Sequence, residues 1–183
     1  MFECDKIQKF ESFYVVENFL SVDEVDMIRN HWDTLEWGPQ KITWGREDPK
    51  ITPISTKFRI CNVWGIPTNK FEFLEQKSSE VFNCIYEEGF KFYDKFAVHE
   101  YPLGGHHVRH FDHLSDDNTH RDLIISLQLS DENEYEGGEL LVSDNSTPQK
   151  KGSAIIYKSM DFHIVKEVTK GKRYSITICG GPK

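Results

Sequence analysis

Eight histidines occur in the 183-residue chain, and five of them fall between positions 106 and 120. Within that cluster stands His110-Phe111-Asp112. On a strand, residues two apart project to the same face, so an imidazole and a carboxylate would stand side by side. The same spacing recurs in His31-Trp32-Asp33 and His120-Arg121-Asp122, so spacing alone selects no site. Context separates the three pairs. His31 and Asp33 fall in a helical stretch, where i and i+2 diverge, and read as surface. His120 and Asp122 follow the polar run Ser115-Asp116-Asp117-Asn118 and read as a solvated loop. A distal histidine, His163, lies 51 residues after Asp112, and Arg173 ten residues beyond it, with Ser175 on the same strand face. Two histidines and one aspartate can occupy one face of an octahedral iron(II) and leave three positions open. A hydrolytic zinc site also uses three ligands, in a tetrahedral arrangement. The planar guanidinium fork of Arg173 suits a carboxylate and favours iron with an organic-acid co-substrate.

These residues need elements to position them. Ser12 to Leu20 reads as a strand, and Ser21 with Glu24 forms a capping box ahead of a helix carrying Val22, Val25, Ile28, Trp32 and Leu35. Phe58, Ile60 and Val63-Trp64 suggest one or two strands between turn signals. A second helix is expected over about 70–94, with Phe71, Leu74, Val81, Phe82, Ile85, Phe92 and Tyr93 on its apolar stripe. From Phe96 onward short strand-like runs follow: Ala97 to Tyr101, Val108 to Asp112, Leu123 to Leu129, Glu139 to Ser143, Ala154 to Tyr157, His163 to Val168 and Arg173 to Ile178. No crossover helix fits between them, which disfavours a parallel sheet and leaves an antiparallel sandwich or barrel with two helices outside. The expected organisation is a single domain over 1–183, with 1–95 as helix-and-strand support and 96–180 as the core.

The net charge of −8, from 22 Lys+Arg against 30 Asp+Glu, argues against a dedicated nucleic-acid binder. No apolar run approaches the roughly 18 residues of a membrane span, and the first residues carry no signal-peptide pattern. Cys4, Cys61, Cys84 and Cys179 form no CxxC pair and read as four free thiols of a cytoplasmic protein.

Tyr101-Pro102-Leu103-Gly104-Gly105-His106-His107-Val108-Arg109-His110-Phe111-Asp112 resembles the Tyr-x-x-Gly…His-x-Asp segment of the iron(II)/2-oxoglutarate oxygenases, in their prolyl 4-hydroxylase-like (PKHD-type) branch. Arg121 to Ser130, Tyr135-Glu136-Gly137-Gly138-Glu139-Leu140, Lys151 to Tyr157 and His163 to Ser175 are similar to the later motifs of that branch, in order. The resemblance covers roughly residues 96–180. It implies a mainly β fold, the double-stranded β-helix or jelly roll. It implies Fe(II) held by His110, Asp112 and His163, with Arg173 on the distal carboxylate of 2-oxoglutarate and Tyr101 and Ser175 as further co-substrate contacts. O2 would be consumed, succinate and CO2 released, and ascorbate would serve as reductant. The implied reaction is hydroxylation of a C–H bond, on peptidyl proline at C4, in a peptide or protein partner. The same chemistry on a free amino acid or small molecule is the alternative, and a non-catalytic jelly-roll binding module is the alternative of another class. Arg59 and Trp64, in the stretch Gly45 to Trp64 that could fold over the pocket as a lid, are candidate substrate contacts. Asp161 or a backbone carbonyl is expected to orient the histidine ligands. Two positions depart from the pattern: His107 stands where many members carry an aromatic residue, and Cys179 near the place where many end in Trp.

Overall fold

The computed structural model describes residues 2–32, 57–86, 90–92, 95–112 and 122–182. A 3-10 turn, Cys4–Lys6, precedes β1 (Gln8–Lys9) and β2 (Tyr14–Val16). Helix α1 (Val22–Trp32) follows. The capping box forms as expected: the Glu24 amide donates to Ser21 Oγ at 3.2 Å, and the Ser21 amide donates to Glu24 Oε2 at 2.8 Å. Next come β3 (Arg59–Ile60), β4 (Asn62–Pro67), a 3-10 turn (Thr68–Phe71) and α2 (Glu72–Ile85). The remaining elements are strands: β5 (Phe90–Phe92), β6 (Lys95–Tyr101), β7 (His106–His110), β8 (Leu123–Gln128), β9 (Tyr135–Gly137), β10 (Leu140–Val142), β11 (Asn145–Ser146), β12 (Ala154–Lys158), β13 (His163–Val165), β14 (Val168–Gly171) and β15 (Arg173–Pro182).

Among the described residues the strands form a major sheet in the order β1-β2-β12-β8-β15-β6-β4, with β5 also on β15, and a minor sheet in the order β11-β10-β13-β7-β3. The pair β14-β9 stands apart. All pairings among the described residues are antiparallel. Strand alternation then assigns the two faces of the major sheet. Phe96, Val98, Leu123, Ile125, Leu127, Ala154, Ile156, Ile176 and Ile178 join one core cluster with Val25, Ile28 and Trp32 of α1 and Leu74, Val81 and Phe82 of α2. The intervening positions, among them Tyr101, Ile124, Ile155 and Tyr157, turn to a second cluster between the sheets with Leu140, Val142 and Val165. Each of these buried aliphatic side chains contributes roughly 1.5–3 kcal/mol, so the helices clamp the sheet whose other face carries the site.

Several expectations are corrected. The first strand spans only Tyr14–Val16, because Asn18 turns the chain with φ of 52°. The second helix stops at Ile85; Tyr86 is extended, and Phe92 belongs to β5, opposite Gly180. Phe92 nonetheless packs on Phe82, with ring centroids 5.7 Å apart. Residues on one core can keep helical spacing without sharing a helix, which is why periodicity overextended it. The run from His163 breaks after Val165 and resumes at Val168. Cys4 and Cys84 form a disulfide with Cα atoms 5.5 Å apart, so the four-thiol expectation fails; Cys61 and Cys179 remain thiols. A separation of 80 residues leaves no local signal of that pairing. His31 is half-buried against Phe71, at 5.6 Å between centroids, and not a surface group. Asp33, Leu35, Tyr93 and most of Gly45 to Trp64 lie outside the described residues; from Arg59 onward that stretch is strand. No helix among the described residues is long and apolar enough to cross a membrane.

Candidate metal centre

The minor sheet brings the distal histidine home. In the β13–β7 pairing His163 lies directly opposite His110, and their rings are 4.0 Å apart. Asp112 follows the end of β7, and its amide donates to the Ser159 carbonyl at 2.9 Å, tying it to the loop that leads into β13. Its two carboxylate oxygens each lie 3.5 Å from an Nε2, Oδ1 from His110 and Oδ2 from His163. The donor atoms of His110, Asp112 and His163 lie within 4.8 Å of one another. Both imidazoles are held from behind: His110 Nδ1 donates to the Val108 carbonyl at 2.8 Å and His163 Nδ1 to the Asp161 carbonyl at 3.2 Å. A proton fixed on Nδ1 leaves the Nε2 lone pair directed at the shared centre, as metal ligation requires. Burial pushes the His163 pKa down, favouring the neutral, ligating form. Burial opposes ionisation of Asp112, but the neighbouring imidazoles of His110 and His163 outweigh it and hold the carboxyl well below its usual range.

The three groups open into a cavity whose opposite wall is the major sheet. Arg173, Ser175, Thr177 and Cys179 alternate into it from β15, and Ala97, His99 and Tyr101 from β6. Arg173 is 3% exposed, its Nη1 reaches Ser175 Oγ at 3.5 Å, and its guanidinium lies 5.4 Å from the Tyr101 ring. Its Nε is buried without a hydrogen-bond partner. Among the described residues no carboxylate pairs with Arg173. An unpaired buried guanidinium is costly, and its arrangement suits an incoming anion. Burial pushes the Tyr101 pKa up, so the phenol keeps the proton it would donate.

A position for Arg173 is reserved by the Gly137-Gly138 turn. Both glycines have positive φ, 74° and 65°. A Cβ on Gly138 would stand 3.1 Å from Arg173 Cδ and 3.0 Å from Val168 Cγ2, and one on Gly137 would stand within 2.2 Å of the Glu167 carbonyl oxygen. The backbone therefore passes where only glycine leaves room for the arginine stem.

Residues 96–179, which contain all three donors and Arg173, match the family model of the 2OG-Fe(II) oxygenase superfamily. This match spans less than half of the chain; with the relatives that follow, it supports a PKHD-like 2OG-Fe(II) oxygenase, a dioxygenase and hydroxylase by class. The chain is 27% identical over 173 residues to the PKHD-type hydroxylase PiuC of Pseudomonas aeruginosa, covering 85% of this chain and 72% of the relative. A PKHD-type hydroxylase of Prochlorococcus marinus is 39% identical over 69 residues, 36% of this chain and 31% of the relative. Two solved structures share the jelly-roll fold. A Pseudomonas putida prolyl-4-hydroxylase aligns with TM-score 0.69 at 19% identity, over 94% of this chain and 93% of that one. A viral collagen prolyl hydroxylase from Paramecium Bursaria Chlorella virus-1, in its 2OG complex, aligns with TM-score 0.71 at 17% identity, over 97% of each chain.

The oxygenase's iron and co-substrate are tested by the residues present. Two Nε2 donors with proton-bearing Nδ1 atoms and one carboxylate fit a divalent iron, and the orphaned Arg173 Nε fits a dicarboxylate. Of the two substrate candidates, Arg59 lines the cavity, whereas Trp64 lies on β4, 38% exposed, and is not among the lining residues. His120 and His113 lie outside the described residues. His106 does not line the cavity, but His107 does, stacked on His110 at 3.5 Å; burial pushes its pKa down to about 2. Cys179 lines the cavity as well. Sequence reasoning missed His99, which lines the cavity, buried beside Tyr101 with its Nδ1 3.3 Å from Thr177 Oγ1. His99 had a readable signal, since it sits two residues before Tyr101 on a strand.

Proposed function

We propose that the oxygenase hydroxylates a proline within a peptide or protein, using Fe(II), O2 and 2-oxoglutarate and releasing succinate and CO2. The observation that carries the co-substrate is Arg173: a buried guanidinium with an orphaned Nε, in the same cavity as the metal-ligand triad. The proline assignment is supported by the prolyl hydroxylases that share the fold, one of them, from Trichoplax adhaerens, solved with a peptide of hypoxia inducible factor. In this reading iron, when bound with co-substrate and O2, supplies the oxidising power that places oxygen on a C–H bond.

The chain's own residues do the rest. His110, His163 and Asp112 would hold the metal at the wall of the cavity. Arg173 and Ser175 take the far carboxylate of the co-substrate, and Tyr101, a neutral phenol, donates a hydrogen bond beside them. Two anchored ends fix one orientation, so the reacting groups meet without a search, which lowers the entropic cost of reaction. The apolar walls Leu140, Val165 and Ala97 limit water beside them.

The test is anaerobic addition of Fe(II) and 2-oxoglutarate, followed by air and proline-containing peptides. A visible chelate band, lost in His110→Ala, is expected first. Peptide hydroxylation with one succinate per oxygen atom inserted is expected second, by mass spectrometry. Succinate formation with no peptide modified, but with free proline hydroxylated, would overturn the peptide assignment. No band in the wild-type protein would overturn the co-substrate assignment.

A further inference from the structure

The cavity contains a second guanidinium that the co-substrate does not need. Arg59 lies opposite His107 in the β3–β7 pairing, and His107 stacks on the ligand His110. Arg59 is therefore set on the minor-sheet side, whereas Arg173 enters from β15 of the major sheet. Its Nη2 makes a long contact to Cys61 Sγ, at 3.9 Å. Its Nε, like that of Arg173, is buried with no hydrogen-bond partner. Among the described residues no carboxylate forms an ion pair with it. Unlike Arg173, Arg59 is only partly buried as a residue.

Charge counting shows what is left over. With a divalent metal on the triad, the cavity holds the metal's double charge, two guanidinium groups and the single negative charge of Asp112. A doubly negative 2-oxoglutarate leaves one positive charge uncompensated. Buried charge without a partner is unfavourable, and a guanidinium fork pairs best with a carboxylate. We propose that Arg59 anchors a carboxylate of the primary substrate, so that the substrate is an acid whose carboxylate lies close to the carbon that is hydroxylated. The inference rests on the reading that Arg173 holds the co-substrate. Two sources offer the same chemistry: the side chain of an acidic residue beside the target residue in a peptide, and the α-carboxylate of a free amino acid.

Calorimetry on anaerobic protein loaded with Fe(II) and 2-oxoglutarate tests this without turnover. Matched probes differ in one charge: acetyl-Pro-Glu-amide against acetyl-Pro-Gln-amide, and L-proline against L-prolinamide. In the wild type the acid of at least one pair binds about tenfold or more tightly than its amide, as a charge-assisted pair requires. The first pair identifies a peptide substrate and the second a free amino acid. In Arg59→Gln the preference falls to about twofold or less, and Arg59→Lys retains part of it, because a point charge remains without the fork. The chelate band persists in Arg59→Gln. Equal binding of acid and amide in both wild-type pairs, no binding by any probe, or a preference that survives Arg59→Gln overturns the inference. Loss of the chelate band in Arg59→Gln also overturns it, by making Arg59 a co-substrate residue with the oxygenase reading intact. Absence of the band from the wild type removes the co-substrate reading itself.

Discussion

Replacing Arg173 with methionine should move stability and co-substrate binding in opposite directions. In the protein alone Arg173 is 3% exposed, with Nε orphaned, a long 3.5 Å contact to Ser175 and a ring contact to Tyr101. An orphaned buried donor costs about 1–3 kcal/mol, against which the Tyr101 contact returns about 0.5–2 kcal/mol. Methionine keeps much of the stem packing and removes the orphan; the midpoints of the two ranges leave a gain of about 0.75 kcal/mol, so the metal-free protein should melt about 1.5–3 °C higher, at about 2–4 °C per kcal/mol for a chain of this size. Binding should behave otherwise. Leaving the far carboxylate of 2-oxoglutarate buried without its cation costs about 3–5 kcal/mol, a loss of roughly a hundredfold to a few thousandfold in affinity. The assay is a thermal melt under argon with Fe(II), with and without 2-oxoglutarate at about a hundred times its wild-type Kd. The wild type should gain about 2.7 kcal/mol, or about 5–10 °C, and Arg173→Met almost nothing. A variant that loses several degrees without ligand, yet keeps the full ligand-induced shift, would show Arg173 to be a structural cation and refute the reasoning.

Gly138→Ala should weaken 2-oxoglutarate binding by about tenfold while Fe(II) binding persists, because the new methyl group presses on Arg173 Cδ from a backbone with φ of 65°; calorimetry on each ligand separates the two effects. His99 gives a pH signature. Burial holds its pKa well below 6.5, so below about pH 6.5 the unfolded chain binds a proton that the folded chain refuses. Stability should therefore be full above that pH and fall as the medium is acidified, by at most about 1.4 kcal/mol per pH unit from this group, and His99→Gln should flatten the slope in urea melts. Reducing the Cys4–Cys84 bridge, which closes a long loop, should cost about 2–4 kcal/mol of stability and leave the chelate band unchanged, since neither cysteine lines the cavity; a peptide map under non-reducing conditions that lacks the Cys4–Cys84 link would refute the pairing.

Much of the fold was legible in the residues because it is local. The Ser21-Glu24 capping box is closed within four residues, and it forms. Strand alternation placed Arg173 and Ser175 on one face, and both line the cavity. Legibility failed where a residue answers to the whole core. Phe92 keeps the spacing of α2 but packs on Phe82 from a strand, and Trp64 has the bulk of a pocket residue but lies outside the lining.

The sequence by itself determined the chemistry available: which side chains could bind a metal, which cation could meet a carboxylate, and which strand faces they share, because residue type and period-two alternation are properties of short stretches. Only the tertiary structure decided how those groups meet. Register pairing set His163 against His110, backbone carbonyls of Val108 and Asp161 fixed the ring protons, and β3 brought Arg59 to the minor-sheet side of the cavity whose other side carries Arg173. Those outcomes depend on contacts between distant parts of the chain, where sheet packing and not spacing selects the partner.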